Sequence, residues 1–480
     1  MSITIVGLGP AGLDRLTASA LAALEDEGAT VILRTIDHPA AAELTGRRAV
    51  VSCDDLYEAA ADYDSLYASV AQRVLDTSGR VVYAVPGSVL VGERAVPLIR
   101  QAAAVHARNV VLHPGESFID LAIAVAGVDP IADGLQVLDA RALPDPMPLH
   151  LPTLFTQVDT PGTAAELSDE LGKLLAHDVE LLVMSDLGSG DEAVSTTNVQ
   201  ALSLATVGPR TSVYLAPQEV GWVGLVHTNR VLRAECPWDR KQTHQTLLKH
   251  LIEEAYETVD AVAALSAEAP GGEVDYGAYA HVEEELGDLL LQVVFHATMA
   301  REAGVFDVEE VAEGIRRKLV SRHPHVFGEV KLDTAAAVEA NWERLKSAEK
   351  ARESAMDDVP SALPALARAE KIQRRAAAVG FDWDSLAPVV AKLREELDEL
   401  TAAATPESRS AELGDLLFAA VNVARHMSID AEAAMRSATR RFEARFRWIE
   451  EQAGGTEMSK MTLTELDTLW DQAKAAGVGQ

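Results

Sequence analysis

The sequence predicts a multidomain chain in which an N-terminal α/β region precedes two all-α helical bundles. Three observations carry this expectation. Up to about residue 217, short β-rich runs alternate with Ala/Leu-rich stretches. Beyond about residue 230 the β-rich runs vanish and long amphipathic helices take over. The helical half also repeats itself. At 480 residues the chain has room for two to four domains, each with its own core. The expected boundaries are 1–222, 225–352 and 357–478.

The β-rich runs are "ITIVGLG" (3–9), "ATVILRT" (29–35), "RVVYAVPG" (80–87), "NVVLHPG" (109–115), "VELLVMSD" (179–186) and "TSVYLAP" (211–217). Glycine follows several of them and helical stretches separate them, the pattern of parallel βαβ units. Residues 141–162 hold five prolines and read as a connection between two halves of this region. Helices are expected over 241–265, 279–302, 308–320, 335–352, 363–379, 385–403, 408–427, 430–453 and 463–475. The stretch "DDVPSALPAL" (357–366) breaks the helical run, with Pro360 and Pro364 flanking a helix start.

Within the helical half, "ELGDLLLQVVFHA" (285–297) recurs as "ELGDLLFAAVNVARH" (412–426). "LIEEAYETV" (251–259) answers to "LREELDELT" (393–401), and "WERLK" (342–346) to "WDQAK" (470–474). The order is the same in both copies and the displacements nearly equal, which shared composition alone does not produce. One helical domain present twice is the economical reading.

The net charge of −32 repels phosphate polymers and anionic lipid, so neither a nucleic acid polymer nor a membrane surface is an expected partner. No stretch of about 18 uninterrupted apolar residues is present to span a bilayer. Cys53 and Cys236 build neither a disulfide framework nor a zinc site. With an N-terminus unlike a secretory signal, they point to a reduced cytoplasm.

Residues three apart on a helix lie about 60° apart and share a face. Glu254 with Glu257, and Glu285 with Asp288, form such pairs. Glu396 with Glu399, and Glu412 with Asp415, repeat them. The face of Glu285 and Asp288 continues to His281 and Gln292, between flanks of Leu289, Leu290, Val293 and Val294. A solvated acidic face is one reading. Against it, the helix offers these acids no basic partner four residues on, and clustered carboxylates repel unless neutralised. Divalent cations resolve the conflict, since hard oxygen ligands suit Mg²⁺ or Mn²⁺. A di-iron bundle would want a Glu-x-x-His pair, and His296 stands eight residues past Asp288.

The pattern E-E-x-x-E, a spacer, then E-x-x-D resembles the MazG family of all-α nucleoside triphosphate pyrophosphohydrolases. So do the flanks "CPWDRKQTHQTLLKHLIEEAYE" (236–257), "RRKLVSRHPHVFGEV" (316–330), "DDVPSALPALARAEKIQRRAAAVGFDW" (357–383) and "RRFEARFRWIE" (440–450). The resemblance implies Mg²⁺-dependent hydrolysis of a nucleoside triphosphate to monophosphate and pyrophosphate, clearing non-standard or excess nucleotides. It makes the eight acids above the catalytic and metal-binding residues. It also assigns nucleotide binding to Arg441, Arg445, Trp470 and Lys474, with Lys318, Arg322, Trp342 and Lys346 at matching places in the first copy. Both tryptophans also suit packing. Pairing into a homodimer is implied as well.

"VGLGPAGLDRLT" (6–17) fits G-x-G-x-x-G at Gly7, Gly9 and Gly12, which a tight turn also explains. With "YAVPGSVLVGERAV" (83–96), "HPGESFID" (113–120) and "TSVYLAP", it resembles the tetrapyrrole-methylase-type S-adenosylmethionine domain, joined to MazG modules as in YabN-like proteins. That resemblance makes Gly7, Gly9, Pro86 and Gly87 cofactor-binding residues. Hydrolase, methyltransferase and non-catalytic interaction module are the three functions in contention, and either acid set is a candidate for the working copy.

Overall fold

The computed structural model describes residues 2–479 except Ala61, Ala336, Glu339, Ala340, Glu343, Arg344, 346–353 and 454–457. The chain divides into two compact units, Met1–Gly314 and Ile315–Gln480. The division falls inside a helix, Val308–Arg322.

Strands β1 (Ser2–Gly7), β2 (Ala29–Leu33), β3 (Val51–Ser52), β4 (Arg80–Val85) and β5 (Asn109–His113) form one sheet in the order β3-β2-β4-β1-β5. All its pairings are parallel. A parallel sheet is covered on both faces, so its inner strands are apolar on both. Ile3 and Ile5 of β1 join Ile32, Tyr83 and Val85 in one core. Val6 joins Val31, Leu33, Val82 and Ala84 in another. Helices α1 (Ala18–Leu24) and α2 (Pro39–Thr45) cover the second face. Helices α4 (Tyr63–Asp76) and α5 (Ala95–Val105) cover the first, with α3 (Asp54–Ala59) beside α4.

Helix α6 (Phe118–Ala126) leads into the second sheet. That sheet departs from the expected parallel pattern. Strands β6 (Gln136–Asp139), β7 (Thr153–Thr156), β8 (Glu180–Ser185), β9 (Ala193–Asn198) and β10 (Thr211–Leu215) run in the order β6-β7-β10-β8-β9. Only β6 with β7 is parallel; the other three pairings are antiparallel. Residues 141–162, expected as a connection, contain β7 and the start of α7 (Pro161–Gly172). The prolines flank the strand rather than interrupt it, so they conceal four buried or half-buried residues.

Eight of the expected helices are present in the helical half, while the one expected over 335–352 lies largely outside the described residues. Helix α8 (Gly221–Glu235) leads to α9 (His244–Ala264), α10 (Tyr276–Glu302), α11 (Val308–Arg322) and α12 (Pro324–Phe327). The second unit holds α13 (Ala365–Ala378), α14 (Leu386–Ala402), α15 (Pro406–His426), α16 (Ala431–Gln452) and α17 (Leu463–Ala475). Side-chain caps start α9, α15 and α17 through Thr243, Thr405 and Thr462. Helix α9 packs on α10 in the first unit, and α14 on α15 in the second. Val226, Val294, Ala297 and Val308 form a small core where α8 meets α10.

Candidate active site

The first acid group lies where α9 crosses α10. One carboxylate oxygen from each of Glu254, Glu257 and Glu285 falls within 4.8 Å of the others. Thr258, itself buried, pins the two helices there. Its hydroxyl donates to the Glu254 carbonyl at 2.7 Å and to the Glu285 carbonyl, across the helix pair, at 3.1 Å. Burial raises the pKa of the Glu254 carboxyl, and the charges of Asp288, Glu257 and Glu253 push in the same direction. Asp288 therefore acts on the group electrostatically, although it lies outside the 4.8 Å set. His281 Nδ1 stands 3.5 Å from Glu285 and 3.8 Å from Glu284.

The second group repeats the arrangement on α14 and α15 with Glu396, Glu399 and Glu412. Here a lysine intervenes: Lys392 Nζ is 2.8 Å from both Glu395 and Glu396. Burial raises the Glu399 pKa and the charges of Glu396 and Glu412 add to it, with Lys392 opposing. Glu396 is only 6% exposed, low for a charged residue, and Lys392 accounts for part of its stabilisation. Both groups offer oxygen donors alone, the set that fits a hard divalent cation and not a thiolate- or imidazole-loving metal.

Asp415 lies outside the second 4.8 Å set, but with Glu396 and Lys392 it lines a cavity of about 390 Å³. Phe381, Trp383 and Phe418 give that cavity aromatic walls. Gln373 and Asn422 add polar groups, and the Gln373 Oε1 is buried without a partner. Its Nε2 donates to the Phe418 carbonyl at 2.8 Å. At the rim, Asp382 accepts from Arg425 at 2.5 and 2.9 Å and bonds His426 at 3.0 Å. Those contacts hold its carboxyl well below the usual carboxylate range. An apolar cavity with a few polar groups and acids at one side is the shape of a small-molecule site.

The sequence singled out none of Gln373, Asp382, Lys392, Asn422 or Arg425. Only Lys392 left a signal, four residues before Glu396. The others come from two different helices and a loop, and only the fold brings them together.

The cations assigned to nucleotide binding gather elsewhere. Arg445 stands over the Trp470 ring at 5.4 Å and Lys474 at 5.9 Å, while Phe442 packs on that ring at 5.2 Å. Arg445 Nε donates to the Val478 carbonyl, Lys474 pairs with Asp471, and Arg441 bonds Ser437. None of Arg441, Arg445, Trp470 and Lys474 lines the cavity beside Glu396. Arg322 stands 6.0 Å from the Trp342 ring and Lys318 is exposed. Lys346 lies outside the described residues.

In the N-terminal sheet the glycine turns converge. Gly9 and Gly87 form a backbone bridge, with hydrogen bonds of 3.1 and 2.8 Å, and both have positive φ. A Cβ on Gly7 would lie 2.5 Å from the Gly87 carbonyl oxygen, so only glycine fits that approach. Pro86 lies half-buried between β4 and this bridge. His38, 7% exposed, sets its Nε2 2.9 Å from the Gly9 carbonyl, and its Nδ1 is buried without a partner.

Comparison with known proteins agrees with both halves. Residues 2–203 match the family model of tetrapyrrole (corrin/porphyrin) methylases. Residues 242–327, which contain the first acid group, match that of the MazG nucleotide pyrophosphohydrolase domain. A nucleoside triphosphate pyrophosphohydrolase of Escherichia coli (strain K12) is 44% identical over 249 residues, covering 50% of this chain and 90% of that one. A diphthine synthase structure shares 17% identity with a TM-score of 0.36, over 46% of this chain and 92% of that one. YabN of Bacillus subtilis (strain 168) is 36% identical over 494 residues, 98% of each chain. Similar to that relative from end to end, and carrying a methylase domain ahead of a MazG domain, the chain belongs to the YabN family.

Proposed function

We propose that the protein hydrolyses nucleoside triphosphates to the monophosphate and pyrophosphate, with Mg²⁺ as cofactor and Mn²⁺ as its substitute, at the acids of α14 and α15. One observation carries this reading: Glu396 and Asp415 form part of the wall of an aromatic-sided cavity of about 390 Å³. The name of the Escherichia coli relative supports the same activity. Glu396, Glu399, Glu412 and Asp415 would hold the metal, and Glu254, Glu257, Glu285 and Asp288 form an equivalent set in the first copy.

When bound, Mg²⁺ supplies charge neutralisation at the phosphates and a water of lowered pKa. The chain's own residues do the rest. Phe381, Trp383 and Phe418 take the nucleoside, excluding water from one side of the triphosphate. Gln373 Oε1 accepts a hydrogen bond from the base, and Lys392 turns its ammonium toward phosphate oxygens. Water adds to the α-phosphorus, the bond to the bridging oxygen of the β-phosphate breaks, and pyrophosphate leaves.

The three-domain division, two MazG-like copies behind one methylase-like domain, belongs to this proposal, as does residence in the cytoplasm without a polymeric nucleic acid or membrane partner. No helix among the described residues is long and apolar enough to cross a membrane. A homodimer is favoured by the apolar side chains left exposed beside the acids. Ile252, Leu286 and Leu290 are at least 40% exposed in the first unit, as are Leu397, Leu413 and Leu417 in the second. Partner chains that cover these faces offer a further place for Arg441, Arg445, Trp470 and Lys474 to act on nucleotide.

The N-terminal domain supports a second reading, binding of S-adenosylmethionine for methyl transfer. The close backbone approach at Gly7, Gly9 and Gly87, next to Pro86, and the orphaned Nδ1 of buried His38 favour a ligand at the end of the parallel sheet.

A panel of nucleoside triphosphates incubated with purified protein and Mg²⁺ tests the main reading. Monophosphate plus pyrophosphate is expected. Diphosphate plus phosphate would refute it.

A further inference from the structure

Away from both acid groups, a cavity of about 350 Å³ lies between the C-terminal turns of α8 and α10. Arg230, Arg233 and Ala234 line it from one helix; Thr298, Arg301 and Glu302 line it from the other. Within each trio the spacing is i, i+3, i+4, so the three side chains share one face.

Arg233 is already engaged. Its Nε and one terminal nitrogen meet Glu302 at 2.8 and 3.0 Å, and the other donates to the carbonyls of Asp239 and Gln242. Glu302 is the single carboxylate of the lining, and this pair uses it. Among the described residues, Arg230 and Arg301 make neither an ion pair nor a side-chain hydrogen bond, and the Arg230 Nε is buried without a partner. Two unpaired guanidiniums thus border one cavity in a chain with 74 acids against 42 lysines and arginines. In such a chain, acids are plentiful enough to pair with both. The helix ends at Glu235 and Glu302 offset part of the repulsion through their dipoles, but they leave the donors unfilled.

We propose that this cavity binds the diphosphate group of a small phosphorylated ligand, one phosphate to Arg230 and one to Arg301. A guanidinium presents a planar fork that matches phosphate oxygens, and two forks on separate helices suit an anion with two charged groups. The buried Nε of Arg230 gains the acceptor it lacks. Thr298 lies thirteen residues beyond Glu285 on α10, about 20 Å along the helix, so one triphosphate cannot reach both places. The site is therefore separate from the first acid group, and it shares no lining residue with the cavity beside Glu396. Its ligand is either free pyrophosphate or the tail of a nucleoside diphosphate.

Isothermal titration calorimetry of the full chain with pyrophosphate tests this. EDTA in the buffer silences metal-dependent binding at the acids. Saturable binding is expected, at least tenfold weaker in the double variant Arg230→Gln/Arg301→Gln and retained in Glu254→Gln/Glu396→Gln. ADP in a parallel titration separates the sources. Binding as tight as that of pyrophosphate means the nucleotide tail is accepted; binding of pyrophosphate alone means the free anion is the ligand. Should the double variant misfold by circular dichroism, Arg301→Lys keeps the charge, loses the fork and is expected to bind more weakly. No saturable binding of either anion, or undiminished affinity in the arginine variants, overturns the site. Since no hydrolysis is measured, that failure leaves the proposed reaction standing.

Discussion

Asp382 is the clearest single residue through which the second unit's cavity can be probed. It lies in the turn between α13 and α14, yet it ties down Arg425 and His426 at the end of α15. Its carboxyl is held below its ordinary pKa, first by the Arg425 hydrogen bonds and then by His426. A carboxyl depressed in the folded state contributes its stability fully above the unfolded value of about 3.9. That contribution is lost as pH falls through the lower folded value. Asp382→Asn is accordingly expected to cost about 1.5–3 kcal/mol at pH 7, the range for hydrogen bonds to a charged group. The gap from the wild type should narrow from about pH 4 downward. Urea denaturation of both proteins at pH 7 and pH 3 checks this, and an equal gap at both values would remove the charge from the account.

At the scale of elements, the two helix pairs matter most, because each brings acids from separate helices to one place. Thr258 shows how closely that is specified, since its hydroxyl spans from α9 to the Glu285 carbonyl on α10. Thr258→Val keeps the shape and removes the donor. A loss of about 0.5–1.5 kcal/mol is expected. Mn²⁺ affinity, read by electron paramagnetic resonance, should weaken in parallel at the first acid group. Unchanged metal affinity would mean that the helix spacing there does not depend on this bond.

These helices were legible in the sequence to within a few residues, because a long amphipathic repeat with threonine or aspartate caps is a strong local signal. Three acids of each set come together as their i, i+3 spacing suggested, while Asp288 and Asp415 fall outside those groups. The second sheet was legible only in part, since the runs 179–186 and 211–217 became β8 and β10 while β6, β7 and β9 went unread. Strand β9 reads "AVSTTN", exposed over most of its length, so no apolar alternation announces it. Strand β7 is four residues among prolines. The cavity was hidden for a different reason. Gln373, Asp382 and Asn422 are unremarkable on their own helices and turns, and only packing brings them to one wall. The burial of Gln292 went the other way: placed by spacing on the acid stripe, it is 7% exposed with its Oε1 unpartnered.

For the whole molecule, the proposed homodimer rests on the exposed apolar faces beside the acids. Leu413 and Leu417 are 47% and 46% exposed on α15, one turn apart. Leu417→Asp places a charge on that face, and a shift from dimer to monomer is the expected outcome in light scattering coupled to size exclusion. A wild type that elutes as a monomer would show that these faces are left bare.

The proposed reaction at the acids of α14 and α15 stands or falls on how single acid substitutions in the two groups affect turnover. Mg²⁺-dependent pyrophosphate release should be followed with wild type, Glu396→Ala and Glu254→Ala under identical conditions. At least a hundredfold loss of kcat is predicted for Glu396→Ala, with Glu254→Ala keeping most of its activity. Full activity in Glu396→Ala would contradict the claim, and loss confined to Glu254→Ala would move the reaction to the first acid group.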